Sequence, residues 1–424
     1  VTGSSFQLEV FHRRSPFRFR IRHAHGERSS NEGLVIRLSS VVDCRHIFGL
    51  GEALPRSYVT GETIDGSLAQ CHALFNELAV PVMVAATSGG SCLDTVMDLL
   101  IDAWSTVSST NQLAVWSAFD VALFDWLSKV SDLPAENLLL EMRSKIASRG
   151  TDDSQRAKDP LFFTDKTLAR RATIPMIRPW LAAMLTFGYR SFGFKHFKVK
   201  VGDSRSVQRV GMVFRCMGPL ANITLDANQG YSAASAHEFL NRIFHQHADL
   251  RQRLAAFEDP VGPADAESLA VFGRDAGVVI MADEVLSGEE SCRAFARCPE
   301  VSIWNIRVGK CGGITGAMMA VNQACRAGAR VALGALVGED RMLGASAKLI
   351  SKHISSLWVE ESFSRLVLGR SVFRSDRLRS SASSLEVNAQ RGLGFDLDER
   401  VMRAQMIGFQ TFKAQLPESV ALPL

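Results

Sequence analysis

Apolar and polar residues alternate at the start of the chain. FQLEVFH (6–12) and GLVIRLSS (33–40) place apolar side chains at every second position, the period of a strand with one buried face. The segment between them, RHAHGERSSNE (22–32), is polar and reads as a connection, and GLGEALPRSYVTGET (49–63) is broken by Gly and Pro. From about 90 to 130 the period lengthens to that of a helix, first in CLDTVMDLLIDAW and then in NQLAVWSAFDVALFDWLSKV. In the second run Val115, Ala118, Phe119, Ala122 and Trp126 fall on one stripe. An α+β unit is predicted for this first part of the chain.

IASRGTDDSQRAKDP (146–160) carries no period and is polar, which marks it as a linker. Beyond it, short β-branched runs alternate with helical ones. The strands are predicted in HFKVKVG, ITLDANQG, AAFEDPV, VVIMADE, VSIWNIRVG and ARVALGALVG, and segments such as AASAHEFLNRIFHQ and ITGAMMAVNQACRAG are helical. Landmarks in successive strands recur at intervals of roughly 24 to 32 residues, the length of one βα unit, which favours a closed barrel. A dinucleotide-binding sheet is disfavoured, because GKCGGITG (309–316) lacks the acidic residue expected after a following strand. The expected fold is α/β: a modified (β/α) TIM-type barrel over 148–368, an N-terminal α+β capping domain over 1–147, and a segment over 369–424 that packs back on the cap.

Composition narrows the function. With 46% hydrophobic and 22% charged residues over 424 positions, the chain reads as folded and globular. A net charge of +4 is too weak a field to imply a nucleic-acid or membrane partner, so a small molecule is expected. The eight cysteines are scattered without the close spacing of structural zinc, and reduced thiols in a cytoplasm are expected. No run of 18 apolar residues occurs, and VTGSSFQLEVFHRRSPF lacks the order of a signal peptide. A cytoplasmic homo-oligomer is expected.

The chemistry lies at the predicted strand ends: Lys198 and Lys200, Asp226 and Asn228, Glu258, Asp283 and Glu284, then Arg307. In a parallel barrel these ends converge on one mouth. Three converging carboxylates, Asp226, Glu258 and Asp283, would repel one another unless a cation sat among them, and hard oxygen ligands suit Mg2+ or Mn2+. Lys198 and Lys200 lie two apart on a strand and share a face, so a neighbouring ammonium and a metal would lower the pKa of Lys200 towards that of a general base. An aromatic such as Trp304 reads as core.

These residues resemble the enolase superfamily, in the subgroup of muconate-lactonising enzymes and mandelate racemases. The resemblance rests on FKVKVG, LDANQGY, FEDPV, ADE and NIRVGKCGG, together with GLGEALPRSYVTGET as a capping-domain motif and RHAHGERSSNE as a loop closing over substrate. It implies Asp226, Glu258 and Asp283 as metal ligands, Lys200 as acid/base with Lys198 as its electrostatic partner, and Asn228 and Glu284 as orienting groups. Glu339 in ALVGED matches an acidic position after the seventh strand, and His23 and His25 fall in the closing loop.

One departure affects the reaction. Where the family usually carries a second catalytic lysine, this chain has Arg307, which stays charged and suits a carboxylate better than a proton. Lys310 should point away from the mouth by strand alternation. A single base suits cycloisomerase-like chemistry on a small carboxylate, with amino-acid or dipeptide racemisation second and a dehydratase or succinylbenzoate-synthase-like elimination third. A barrel that only binds a carboxylate is the non-enzymatic alternative.

Overall fold

A computed structural model describes residues 5–23, 26–42, 44–88, 93–149, 170–354, 356–360, 367–375 and 391–415. The N-terminal sheet has strands β1 (Ser5–His23), β2 (Gly26–Val42) and β3 (Arg45–Ala53). Alternation seats Phe6, Leu8, Val10, Leu34, Ile36 and Leu38 in the core. The sheet order is β14-β1-β2-β3, so the C-terminal strand β14 (Met406–Gln415) joins the first strand of the chain. The hairpin is longer than the alternation suggested. Arg22 pairs with Glu27 and His23 with Gly26, so much of the polar stretch 22–32 is strand rather than loop. The His23 side chain and residue His25 lie outside the described residues.

Five helices follow, α1 (Ile64–Leu74), α2 (Val80–Thr87), α3 (Leu93–Ser109), α4 (Leu113–Val130) and α5 (Ala135–Ser148), with a π-helical turn Phe75–Ala79 joining α1 to α2. The joined run Ile64–Thr87 is long and apolar enough to cross a membrane, yet its Cys71, Leu74, Phe75, Ala79 and Val82 lie in the protein core. Helix α4 is not the one-sided helix that its stripe predicted. Every residue from Leu113 to Ser128 is buried, because the helix lies between the sheet and two later helices, Val308–Cys311 and Gly313–Arg326. Glycines let β3 approach it: a Cβ on Gly51 would lie 1.9 Å from the carbonyl oxygen of Ala118, and one on Gly49 would lie 2.0 Å from that of Ala122.

Helix α5 runs through the first residues of the expected linker to Ser148, and residues 150–169 of it and beyond lie outside the described residues. The barrel then begins with β4 (Arg170–Ile174), α6 (Pro179–Ser191), β5 (His196–Lys200), α7 (Ser206–Cys216), β6 (Asn222–Asp226) and α8 (Ala233–Gln246). It continues with α9 (Leu250–Arg253), β7 (Leu254–Glu258), α10 (Ala266–Ala276), β8 (Ile280–Ala282), α11 (Glu289–Ala296) and β9 (Ile303–Ile306). The last units are α12 (Val308–Cys311), α13 (Gly313–Arg326), β10 (Arg330–Leu333), α14 (Arg341–Ser351) and β11 (Ser356–Glu360). Strands β4 to β11 close into a barrel of parallel neighbours, the architecture expected from the βα spacing. A small hairpin, β12 (Phe373–Arg374) with β13 (Asp396–Leu397), and helix α15 (Glu399–Gln405) lead into β14.

Candidate active site

Strand register builds the site. Lys200 pairs with Asp226 and Asp226 with Glu258, so the three share one level at the C-terminal edge of β5, β6 and β7. Glu258 pairs with Met281, which sets Asp283 two residues further on, just past β8. Asp226, Glu258 and Asp283 are all fully buried.

Each carboxylate has cationic partners. Lys198 Nζ lies 2.7 Å from both Asp226 Oδ2 and Glu258 Oε1, bridging two strands. Lys200 Nζ lies 2.6 Å from Asp226 Oδ2 and donates to Asn228 Oδ1 at 2.5 Å. Burial alone would raise the Asp226 carboxyl, but the ammonium groups of Lys198 and Lys200 outweigh it and hold it well below the usual carboxylate range. Asn228 passes the contact on, donating from Nδ2 to Glu284 Oε1 at 2.6 Å. Its backbone is left-handed at φ 44°, a conformation that asparagine adopts more readily than most residues and that turns its amide back over the strand ends.

Glu258 also accepts from Asn305 Nδ2 at 3.0 Å and Arg171 Nη1 at 3.4 Å. Asp283 pairs with Arg307 Nη2 and with Lys310 Nζ, the latter at 3.3 Å to Oδ1. The inward position of Lys310 corrects the sequence expectation. Strand β9 stops at Ile306 and the chain enters the short helix α12, so strand alternation no longer governs where Lys310 points. Burial, and then the nearby charge of Arg307, push its ammonium down to about 8. Arg307 Nη2 also lies 3.9 Å from Glu284 Oε1. Burial, followed by neighbouring Asp259, pushes the Glu284 carboxyl well up.

Asp259, the residue after Glu258, accepts the backbone N–H groups of Asp283 (3.1 Å) and Glu284 (2.6 Å) and so fixes the end of the next strand. Sequence reasoning passed over Asp259, Asn305 and Arg171. The first two sit inside quoted motifs, beside residues chosen for their position at a strand end. Arg171 lies on β4, whose RRATI run shows no alternation that separates it from its surroundings. Glu339 is 4% exposed and binds its own turn, with Oε2 accepting from the backbone of Leu336 at 2.9 Å. Trp304 is fully buried in the core, as expected.

Three buried carboxylates on consecutive strands are a hard, all-oxygen donor set, the kind that suits Mg2+. Asp226 and Asp283 both turn their Oδ2 atoms towards side-chain cations, so the positions favour positive charge. In this arrangement the cations are lysine and arginine. Among the described residues no three Asp, Glu, His or Cys side chains gather closely enough to hold a metal ion. A divalent ion would have to take Asp283 from Arg307.

The family described as enolase C-terminal domain-like matches residues 182–401, just over half of the chain. Among curated proteins, a hydrophobic dipeptide epimerase of Citrifermentans bemidjiense is 28% identical over 342 residues, which is 78% of this chain and 80% of that protein. Muconate cycloisomerase 1-1 of Acinetobacter lwoffii is 27% identical over 210 residues, 49% of this chain and 53% of that protein. The crystal structure of an N-succinyl Arg/Lys racemase from Bacillus cereus superposes with a TM-score of 0.74 at 19% identity, covering 96% of this chain and 99% of that one. A dipeptide epimerase from Cytophaga hutchinsonii, in complex with Mg and the dipeptide D-Ala-L-Val, superposes with a TM-score of 0.70 at 21% identity, covering 96% of this chain and 98% of that one.

Proposed function

The chain belongs to the enolase C-terminal domain-like family, and from that premise we propose that it is an isomerase that removes and returns the proton on the carbon α to a carboxylate, in a dipeptide or N-acyl amino acid. The single observation that carries this reading is Lys200. Its ammonium stands at the open edge of β5, held by Asp226 Oδ2 at 2.6 Å and by Asn228 Oδ1 at 2.5 Å, and partly exposed where the side chain of Lys198 is buried. A lysine held in this way at the barrel mouth would serve as an acid/base towards a substrate bound there. The relatives that align over most of the chain are named as epimerases and racemases, whereas the muconate cycloisomerase aligns over about half. This support reverses the order in which the sequence alone ranked the two reactions.

Once Asp283 leaves Arg307 and the three carboxylates draw together, Asp226, Glu258 and Asp283 would hold Mg2+, which when bound supplies Lewis-acid polarisation of the substrate carboxylate. The rest falls to the chain's own groups. Lys198 bridges Asp226 and Glu258 and supplies a positive charge between the two strands. Asn228 orients Lys200 on one side and Glu284 on the other. Arg307 presents a planar guanidinium suited to gripping an anionic part of the substrate.

A second reading, cycloisomerisation, is favoured by that same Arg307, because a guanidinium takes the place of a second base and a one-base reaction does not need one. The test is a panel of dipeptides, N-acyl amino acids and muconates incubated with Mg2+ in D2O. Epimerisation of a dipeptide or N-acyl amino acid with deuterium gained at its α-carbon supports the first reading, and closure of a muconate to its lactone, which takes up one deuteron at the carbon α to the other carboxylate, supports the second. No reaction with any member would remove both.

A further inference from the structure

Two buried carboxylates outside the strand-end cluster take no part in the chemistry above. Glu52, on β3, is fully buried and accepts the backbone N–H of Asp340 at 3.0 Å and that of Leu343 at 3.0 Å, the N-cap and first turn of α14. Arg13 of β1, 1% exposed, joins Glu52 Oε2 and Asp340 Oδ2, each at 3.1 Å. Asp120, in the middle of α4, is also fully buried, and its Oδ2 accepts the N–H groups of Ile314 (2.5 Å) and Thr315 (3.1 Å) in the first turn of α13. Gly313, at φ +90°, admits this carboxylate: a Cβ there would lie 2.3 Å from Asp120 Oδ2.

Helices often borrow acidic groups to satisfy their first N–H groups, but a cap usually comes from the residue just before the helix. Here both acids come from the N-terminal part of the chain, 288 and 194 residues away in sequence. The helices they cap are the two that follow β9 and β10. The link from β9 to α13 carries Arg307 and Lys310, and the link from β10 to α14 carries Glu339. The second link is also held by Asn31 of the hairpin, whose Nδ2 donates to the carbonyl of Gly338 at 2.8 Å. Burying a carboxylate is costly, and α14 already has a local cap in Asp340, whose Oδ1 accepts the N–H of Arg341 at 2.9 Å, so Glu52 comes in addition to it; α13, preceded by Gly312, has no side-chain cap of its own.

We infer that Glu52 with Arg13, and Asp120, are positioning residues: two separate struts by which the N-terminal sheet and α4 set the rim of the barrel. Glu52 sets the β10–α14 link and Asp120 sets the β9–α13 link that presents Arg307. The part concerning substrate rests on the function proposed above, whereas the struts themselves do not.

Hydrogen–deuterium exchange on the full chain tests the struts without any substrate. In Glu52→Ala, exchange over 334–345 should quicken at least tenfold with 305–318 unchanged, and Asp120→Ala should give the reverse pattern. Glu52→Gln and Asp120→Asn, which keep an acceptor oxygen, should restore protection. If the alanine variants do not fold, Glu52→Asp and Asp120→Ser withdraw the acceptor with less loss of volume and answer the same question. For the most active dipeptide of the panel, Asp120→Ala should raise KM about tenfold while kcat stays within about threefold, and Asp120→Asn should recover KM. Equal loosening of both links by either variant, or an unchanged KM with a loosened link, would overturn the inference. A panel with no active member would count against the proposed function alone, since the exchange pattern still decides the struts.

Discussion

Arg307 and Lys310 both reach Asp283, so the carboxylate after β8 is shared by a guanidinium and an ammonium from the link after β9. A divalent ion on Asp283 must compete with the Arg307 guanidinium. Arg307→Met should therefore tighten Mg2+ or Mn2+ binding by on the order of tenfold, about 1.4 kcal/mol, while Arg307→Lys should lie between the two. Titration calorimetry with each metal measures this directly. Equal affinities in wild type and Arg307→Met would show that the guanidinium does not oppose the metal.

Lys198 bridges Asp226 and Glu258 inside the barrel, with both carboxylates fully buried. Removing one partner of a buried ion cluster leaves uncompensated charge, so Lys198→Met should cost about 3 to 5 kcal/mol in the absence of metal. Adding Mg2+ should recover part of that loss if the ion replaces the missing positive charge. Urea denaturation with and without Mg2+ reads both effects, and a loss below about 1 kcal/mol would contradict the bridging role.

Asp120 gives a pH dependence with a defined sign. Burial pushes its carboxyl up from the usual 3.8 to about 7, against the pull of its hydrogen bonds to Thr315 and Ile314. Between those two values the folded state holds a proton that the unfolded chain releases. The contribution of Asp120 to stability therefore falls as pH rises from about 4 to about 7 and is level outside that window. Asp120→Asn keeps the acceptor oxygen and removes the titration, so its melting temperature should vary less over that range than that of wild type. Parallel curves for the two proteins would rule Asp120 out as the source.

The sequence made the barrel and its strand-end groups legible because βα units have a fixed length and because Lys200, Asp226 and Glu258 each end a recognisable strand, with Lys198 two residues before Lys200 and Asp283 directly after β8. Other features depend on tertiary context. Strand β4 carries Arg171 into the site, but RRATI has no alternation of its own. The inward turn of Lys310 follows from where β9 stops, which the letters NIRVGKCGG do not reveal. Helix α4 reads as one-sided because its Ser and Asp residues look solvent-facing, yet Ser117, Asp120, Asp125 and Ser128 are all buried and bound to other elements. The close approach of β3 to α4 is hidden in the same way. It depends on Gly49 and Gly51, which alone in the sequence signal only a turn. Gly51→Ala, whose new methyl would meet the Ala118 carbonyl, should lower the melting temperature by several degrees, and an unchanged value would show that β3 can shift.

The proposal that Lys200 moves the α-proton is tested most directly by solvent deuterium incorporation. Wild type and Lys200→Ala are incubated in D2O with Mg2+ and the best member of the dipeptide and N-acyl amino acid panel, and deuterium at the α-carbon is followed by NMR. Wild type should exchange that proton, and Lys200→Ala should do so about 100- to 10,000-fold more slowly while still binding the substrate. Exchange at the wild-type rate in Lys200→Ala would contradict the account.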